Sequence, residues 1–179
     1  MRIPKHDPQQ FRAYRWENDL TAWAGAHATK AEIVRAVETC CKFYHVPPPK
    51  VVFTKSRCTK RNGQRVTSQY EPDTHRIIIR PRHMDICTAA HEAAHAITDW
   101  LFGIWTGAKP HGREWMGVYL VLLEKLKIVP RKAAEAYAKD MGLEFCPASM
   151  IAPARVRRRY RAKIRNACRE RRMLRLWAD

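Results

Sequence analysis

The sequence predicts an α+β fold, with a small antiparallel sheet of about three strands packed on a set of helices. Three observations lead there. Apolar residues recur at helical spacing on both sides of a central stretch, residues 51–80. Within that stretch the period changes to short β-rich runs. Capping residues and prolines mark the boundaries between the two kinds of segment.

The first helix is expected to start at Asp7-Pro8-Gln9-Gln10 and to reach about Trp23. Asp7 is its N-cap, Pro8 takes the first helical position and Gln10 closes a capping box. Thr29-Lys30-Ala31-Glu32 is a second capping box, followed by Ile33, Val34, Val37, Cys40, Cys41 and Tyr44 at helical spacing. Pro47-Pro48-Pro49 must end that helix, because the residue before a proline is pushed out of helical conformation.

Val51-Val52-Phe53-Thr54 reads as a short strand, Asn62-Gly63 as a hairpin turn, and residues 65–70 alternate. Glu71-Pro72-Asp73-Thr74 turns the chain, and Arg76-Ile77-Ile78-Ile79-Arg80, stopped by Pro81, completes the expected antiparallel sheet.

Asp85 is placed to cap a helix running to about Phe102 and ended by Gly103, its apolar face formed by Ile86, Ala90, Ala93, Ala94, Ile97 and Leu101. A further helix is expected from about Gly112 to Lys127, with Trp115, Val118, Tyr119, Leu122, Leu123 and Leu126 inward, stopping before Pro130. The last runs from Arg131 to Met141, with Gly142 beyond it as C-cap. The chain therefore divides into an N-terminal helical arm (1–28), one domain (29–150) and a tail (151–179), with no internal repeat.

With 46% hydrophobic and 28% charged residues, the composition is globular, which excludes a disordered or fibrous chain. Thirty-four Lys and Arg against 17 Asp and Glu leave a net charge of +17, a field that calls for a polyanionic partner. From Arg155 to the end, ten Arg and one Lys face one Glu and one Asp, so 11 − 2 = +9 of that charge lies in the tail. Val156, Tyr160, Ile164, Ala167 or Cys168, Leu174 and Trp177 fall there roughly at three- and four-residue steps, which reads as a basic amphipathic helix.

Its phosphate-binding residues would be Arg155, Arg157, Arg158, Arg159, Arg161, Lys163, Arg165, Arg169, Arg171 and Arg172. DNA or RNA is the leading partner; an anionic membrane surface, an acidic protein, or simple packing of the apolar stripe on the domain are the alternatives. The first residues hold no apolar core of signal-peptide length, and the longest apolar stretch, residues 116–123, is too short to cross a bilayer. No transmembrane segment is expected, and the location implied is cytoplasmic, with association to DNA through the tail. The six cysteines include no C-x-x-C pair, which argues against a zinc ribbon and for reduced thiols.

The chemistry concentrates in His91-Glu92-Ala93-Ala94-His95, an H-E-x-x-H motif on the expected capped helix. Residues four apart lie on one face, so both imidazoles can reach a single ion. Chance alone supplies about 0.02 such matches in a chain of this composition. A catalytic Zn²⁺ takes three protein ligands and leaves one position for water; Glu92, beside the ligands, is placed as general base. The third ligand is assigned to His111, in Lys109-Pro110-His111-Gly112-Arg113-Glu114-Trp115, where Pro110 lets the chain return to the site.

The pair of motifs, H-E-x-x-H followed about sixteen residues later by His-Gly-x-Glu-aromatic, resembles the SprT-like (Spartan-type) zincin metalloproteases. The local match covers residues 85–126, and the element order is similar more weakly from about 29 to 145. A set of uncharacterised metallopeptidases shares the motif. The resemblance implies a zincin-like fold, bound zinc, hydrolysis of peptide bonds in a protein or peptide substrate, and substrates associated with DNA. Trp115 stands where the family usually has phenylalanine, and the cysteine ribbon that some members use to bind DNA is missing.

Asp99, four residues after His95, is either an outer carboxylate that orients a ligand imidazole or a solvated helix residue. Tyr119 and Arg113 are either oxyanion stabilisers or, respectively, a core side chain and a surface charge. His6, His27, His45, His75 and His83 lack ligand spacing and are assigned no role. The rival to a zinc protease is a non-enzymatic nucleic-acid-binding or assembly protein that keeps the same scaffold; the presence of Glu92, which a purely structural zinc does not need, argues for the enzyme.

Overall fold

A computed structural model describes residues 9–24, 27–55, 60–61, 64–65, 68–103 and 110–152. Two helices come first, α1 (Gln10–Ala24) and α2 (Lys30–Tyr44), then five short strands: β1 (Lys50–Phe53), β2 (Lys60–Arg61), β3 (Gln64–Arg65), β4 (Gln69–Glu71) and β5 (Arg76–Ile79). A 3₁₀ turn (Pro81–His83) leads into α3 (Ile86–Thr98) and its π-helical extension (Asp99–Gly103). The last described elements are α4 (Arg113–Lys125), α5 (Arg131–Asp140) and α6 (Ala148–Ile151). The fold is mixed α+β.

Local chemistry sets these boundaries. Thr29 and Glu32 form the reciprocal capping box of α2, each side chain accepting from the other residue's backbone N–H. The helix closes on His45 in the left-handed region, before the triple proline. Asp85 accepts from the Thr88 N–H at 2.7 Å and so caps α3, while Gly142, at φ 66°, follows α5. Asp7 and Pro8, the expected cap of α1, lie outside the described residues.

The sheet departs from expectation. It is mixed rather than antiparallel, in the order β1-β5-β4: β1 runs parallel to β5 (Val51 opposite Ile77) and β4 antiparallel to it (Tyr70 opposite Ile77). Side-chain periodicity is the same for either strand direction. A parallel pair needs a long crossover, which segment 54–75 provides. β5 is central, with Ile77 and Ile79 fully buried, which is why it reads as a continuous apolar run. The alternating stretch 65–70 is divided between two strands: β3 pairs antiparallel with β2 in a separate two-stranded sheet, and β4 joins the main sheet.

α3 packs against α2, α4 and β4. Its Ala89, Ala90, Ala93, Ala94 and Ala96 are all fully buried, and a methyl group is the only side chain that lets several elements approach one helix this closely. Ile33, Val37, Trp115, Leu120 and Leu122 fill the surrounding space, together with Ala13 and Trp16 from α1, so the N-terminal helix shares the core of the rest. Full burial of each large apolar side chain stabilises the fold by about 1.5–3 kcal/mol.

Gly117, inside α4, marks a close approach to the segment after α5: a Cβ there would lie 2.7 Å from the backbone oxygen of Cys146. Glycine-to-alanine in a helix interior gains up to about 1 kcal/mol of propensity, whereas overpacking against backbone costs about 1–3 kcal/mol. Gly117→Ala is therefore expected to destabilise, visible as a lower urea midpoint at unchanged slope; a midpoint equal to or above wild type would show that the close approach is not rigid.

Candidate metal centre

His91 and His95 stand one turn apart on α3, and His111 sits immediately before Gly112, the N-cap of α4. Their ligand atoms all lie within 4.8 Å of one another, and His91 Nε2 and His95 Nε2 are 3.1 Å apart. The three residues that the motif spacing singles out thus come together as one group able to hold a metal ion. The motif alone explains two of them. His111 is brought in by Gln9, whose buried side-chain amide donates to the His111 carbonyl at 2.5 Å and to the Glu144 carbonyl at 3.2 Å while its oxygen accepts from the Glu144 N–H.

The donor set fits zinc. A tetrahedral Zn²⁺ with nitrogen ligands at about 2.0–2.1 Å separates those nitrogens by roughly 3.4 Å, close to the spacing between the two α3 histidines. His91 Nδ1 lies 3.0 Å from the Glu17 carboxylate; a proton held there leaves Nε2 as the lone pair facing His95. Glu17 in turn accepts from the Tyr119 hydroxyl at 2.5 Å.

Electrostatics points the same way. Burial disfavours a charged His91, but the charge and hydrogen bond of Glu17, helped by Glu92, outweigh it and raise His91 to about 9. Burial works against a charged Glu17 too, yet His91 and Tyr119 hold its carboxyl below the usual range. His95 moves well down, through burial and then the neighbouring imidazoles. Two buried carboxylates thus draw one positive charge into the cluster, which a proton on His91 supplies and a divalent cation would supply better.

Glu92 is 4% exposed. Burial raises it to about 7 against the pull of His91, with Glu17 adding to the rise and a hydrogen bond from the Tyr70 backbone N–H opposing it. Its Oε2 is buried with no hydrogen-bond partner.

Aromatic rings surround the imidazoles. Tyr14 of α1 stacks on His91 with centroids 5.8 Å apart and meets His111 edge-on at 5.0 Å; Trp115 stacks on His95 at 5.2 Å, and Tyr119 meets His91 edge-on. These contacts restrict the orientation of the imidazole rings.

The carboxylate on a ligand imidazole is that of Glu17. The Tyr70 hydroxyl meets His75 Nδ1 at 3.0 Å, and burial followed by the nearby charge of Asp99 pushes the Tyr70 phenol up. The Tyr119 hydroxyl donates to Glu17, and Arg113 Nε donates to Cys146 Sγ at 3.4 Å. Glu17, Gln9, Tyr14 and Tyr70 are the site residues that sequence reasoning missed. The one local signal was Glu17 three residues after Tyr14 on a single helix, beside Trp16 in the core. The ten tail residues expected to meet phosphate, Arg155 to Arg172, lie outside the described residues, as does His6.

Fold and site together define a mixed α+β protein with a buried three-histidine cluster able to hold a metal ion. Among the described residues no helix is long and apolar enough to cross a membrane. No protein-family model, curated protein or solved structure matches the chain.

One zinc per chain is expected on metal analysis of the purified protein, lost in the His91→Ala, His95→Ala double variant. Glu17→Ala should keep the three ligands but weaken zinc by about 10–100-fold, as removal of an outer carboxylate does elsewhere. Chelator competition measures this, and an unchanged affinity would leave Glu17 with a packing role only.

Proposed function

We propose that this chain is a zinc-dependent metallohydrolase with a zincin-like fold, and that it cleaves peptide bonds. The observation that carries the reading is Glu92: a carboxyl buried next to three clustered histidines, with one oxygen unpartnered and a pKa raised towards neutrality. A closed structural zinc site takes four protein ligands and has no use for such a group, whereas a catalytic one takes three and needs a base.

His91, His95 and His111 would hold the ion. Zinc in that position supplies Lewis-acid activation of water and of a carbonyl group. Glu92 Oε2 accepts the proton of the attacking water and returns it to the leaving nitrogen, work suited to a group whose pKa lies near the operating pH. Glu17 keeps the His91 ring and its tautomer in place. Two arguments favour a peptide substrate: the likeness of the two linked motifs to the SprT-like metalloproteases, and the position of β4, which packs on α3 and among the described residues has one sheet neighbour, leaving an edge where an extended peptide can lie.

Glu92→Gln should retain zinc and fold while hydrolysis of an unstructured protein substrate falls by orders of magnitude. Equal rates for the variant and wild type would remove the general base.

The partner proposed for the tail is nucleic acid, on its +9 charge (11 basic less 2 acidic residues from 155 to 179). If the tail neutralises six to ten phosphates, DNA affinity should drop by roughly 10³–10⁵ between 50 and 200 mM salt. Truncation before Arg155 should abolish most of that binding and its salt slope while cleavage of a small peptide survives. DNA affinity untouched by truncation would move the interface elsewhere.

A further inference from the structure

Trp115 lies four residues after His111, in the first turn of α4, and its indole meets all three imidazoles of the cluster. The ring centroids are 4.9 Å from His91, 5.2 Å from His95 and 4.7 Å from His111. The imidazoles themselves stand 4.9, 5.4 and 4.8 Å from one another. Four rings at nearly equal spacing form a tetrahedron, which fixes where the indole is. Three points about 5 Å apart share an in-plane centre only about 2.9 Å from each, so a ring about 5 Å from all three stands about 4 Å off their plane, at van der Waals contact. Trp115 therefore covers one face of the imidazole triangle.

The indole is held there by its own neighbours. Tyr119, one turn further along α4, backs it at 5.0 Å; the Tyr119 hydroxyl is tied to Glu17, and its ring meets Trp16 edge-on. The cluster is unevenly covered: Trp115 is 1% exposed, whereas Tyr14, against His91 and His111, is 38% exposed. Trp115 Nε1 is buried with no hydrogen-bond partner. An unpaired buried donor costs free energy, and an apolar side chain filling the same space would avoid that cost. The indole is thus placed by its face, against the imidazoles, and not by a hydrogen bond.

We infer that Trp115 is a positioning residue of the metal centre: it closes one face of the three-histidine triangle, so that water and substrate reach a bound ion from the opposite face only. The inference rests on the metal centre proposed above, but its test reads the ligands of the ion rather than the reaction. An ion held by three imidazoles with both faces open takes further ligands on either side. With one face closed they share a side, which brings water and a scissile carbonyl together.

The test uses the full chain loaded with Co²⁺, whose visible absorption is strong with four ligands and weaker with five or six. Trp115→Ala opens the face, Trp115→Val opens it while keeping more of the core, and Trp115→Phe keeps an aromatic wall without the N–H. Absorption per bound cobalt should fall to about half or less in Trp115→Ala, as water enters on the vacated face, and should stay near wild type in Trp115→Phe. Indole added to Trp115→Ala should restore the wild-type spectrum, since an apolar cavity of this kind takes up an aromatic molecule of matching shape. Should Trp115→Ala fail to fold, Trp115→Val is read in its place.

A folded Trp115→Ala or Trp115→Val with wild-type cobalt absorption would overturn the inference. So would loss of cobalt binding in both, which would make Trp115 a support of the fold alone. A wild-type chain that takes up no metal removes the metal centre and this inference with it. If wild type hydrolyses no peptide while the spectra change as expected, the enzymatic reading fails and the closed face stands.

Discussion

Three imidazoles and two carboxylates meet in a helical core, with His91, His111 and Glu92 buried and His95 and Glu17 partly so, and the pairing of Glu17 with His91 makes this tolerable. Buried charge is tolerable only where opposite charge and hydrogen bonds replace water. Glu17 supplies the charge, Tyr119 satisfies Glu17, and the pair dictates which nitrogen of His91 is left to face its neighbours. That carboxylate fixes the His91 tautomer and is one of the polar ties of α1 to the rest of the protein, beside that of Asp19 with Tyr137.

α1 is accordingly as much a part of the centre as α3. Gln9, just before α1, holds the His111 backbone, Tyr14 lies against the rings of His91 and His111, Glu17 bonds His91, and Ala13 and Trp16 bury the helix in the core. The alanines of α3 make the complementary contribution. They let α2 and α4 pack closely on α3, so that His111, just before α4, lies beside His91 and His95, a geometry that bulkier side chains would prevent.

Much of the fold was legible from local signals. Thr29 with Glu32, Asp85 and Gly142 each act within a few residues, and capping chemistry reads the same in a sequence as in a structure. Strand direction was not legible. The apolar run of Arg76–Ile79 identified a buried strand, but whether β1 lies parallel or antiparallel to it depends on how segment 54–75 crosses over, which no residue pattern encodes.

The histidine cluster and its neighbouring carboxyl were legible in the sequence, because the period of a helix places His91, Glu92 and His95 whatever surrounds them, and Pro110 frees His111 to return. What tunes them was decided by tertiary structure. Glu17 lies 74 residues from His91, Gln9 lies 102 from His111, and Tyr70 reaches Glu92 from another element. Asp99 shows the difference within a single helix: its position on the face is set by spacing, but its neighbour is Tyr70 because β4 packs there. Contacts made within one turn follow from bond geometry, whereas contacts across the core exist only once every element has been packed.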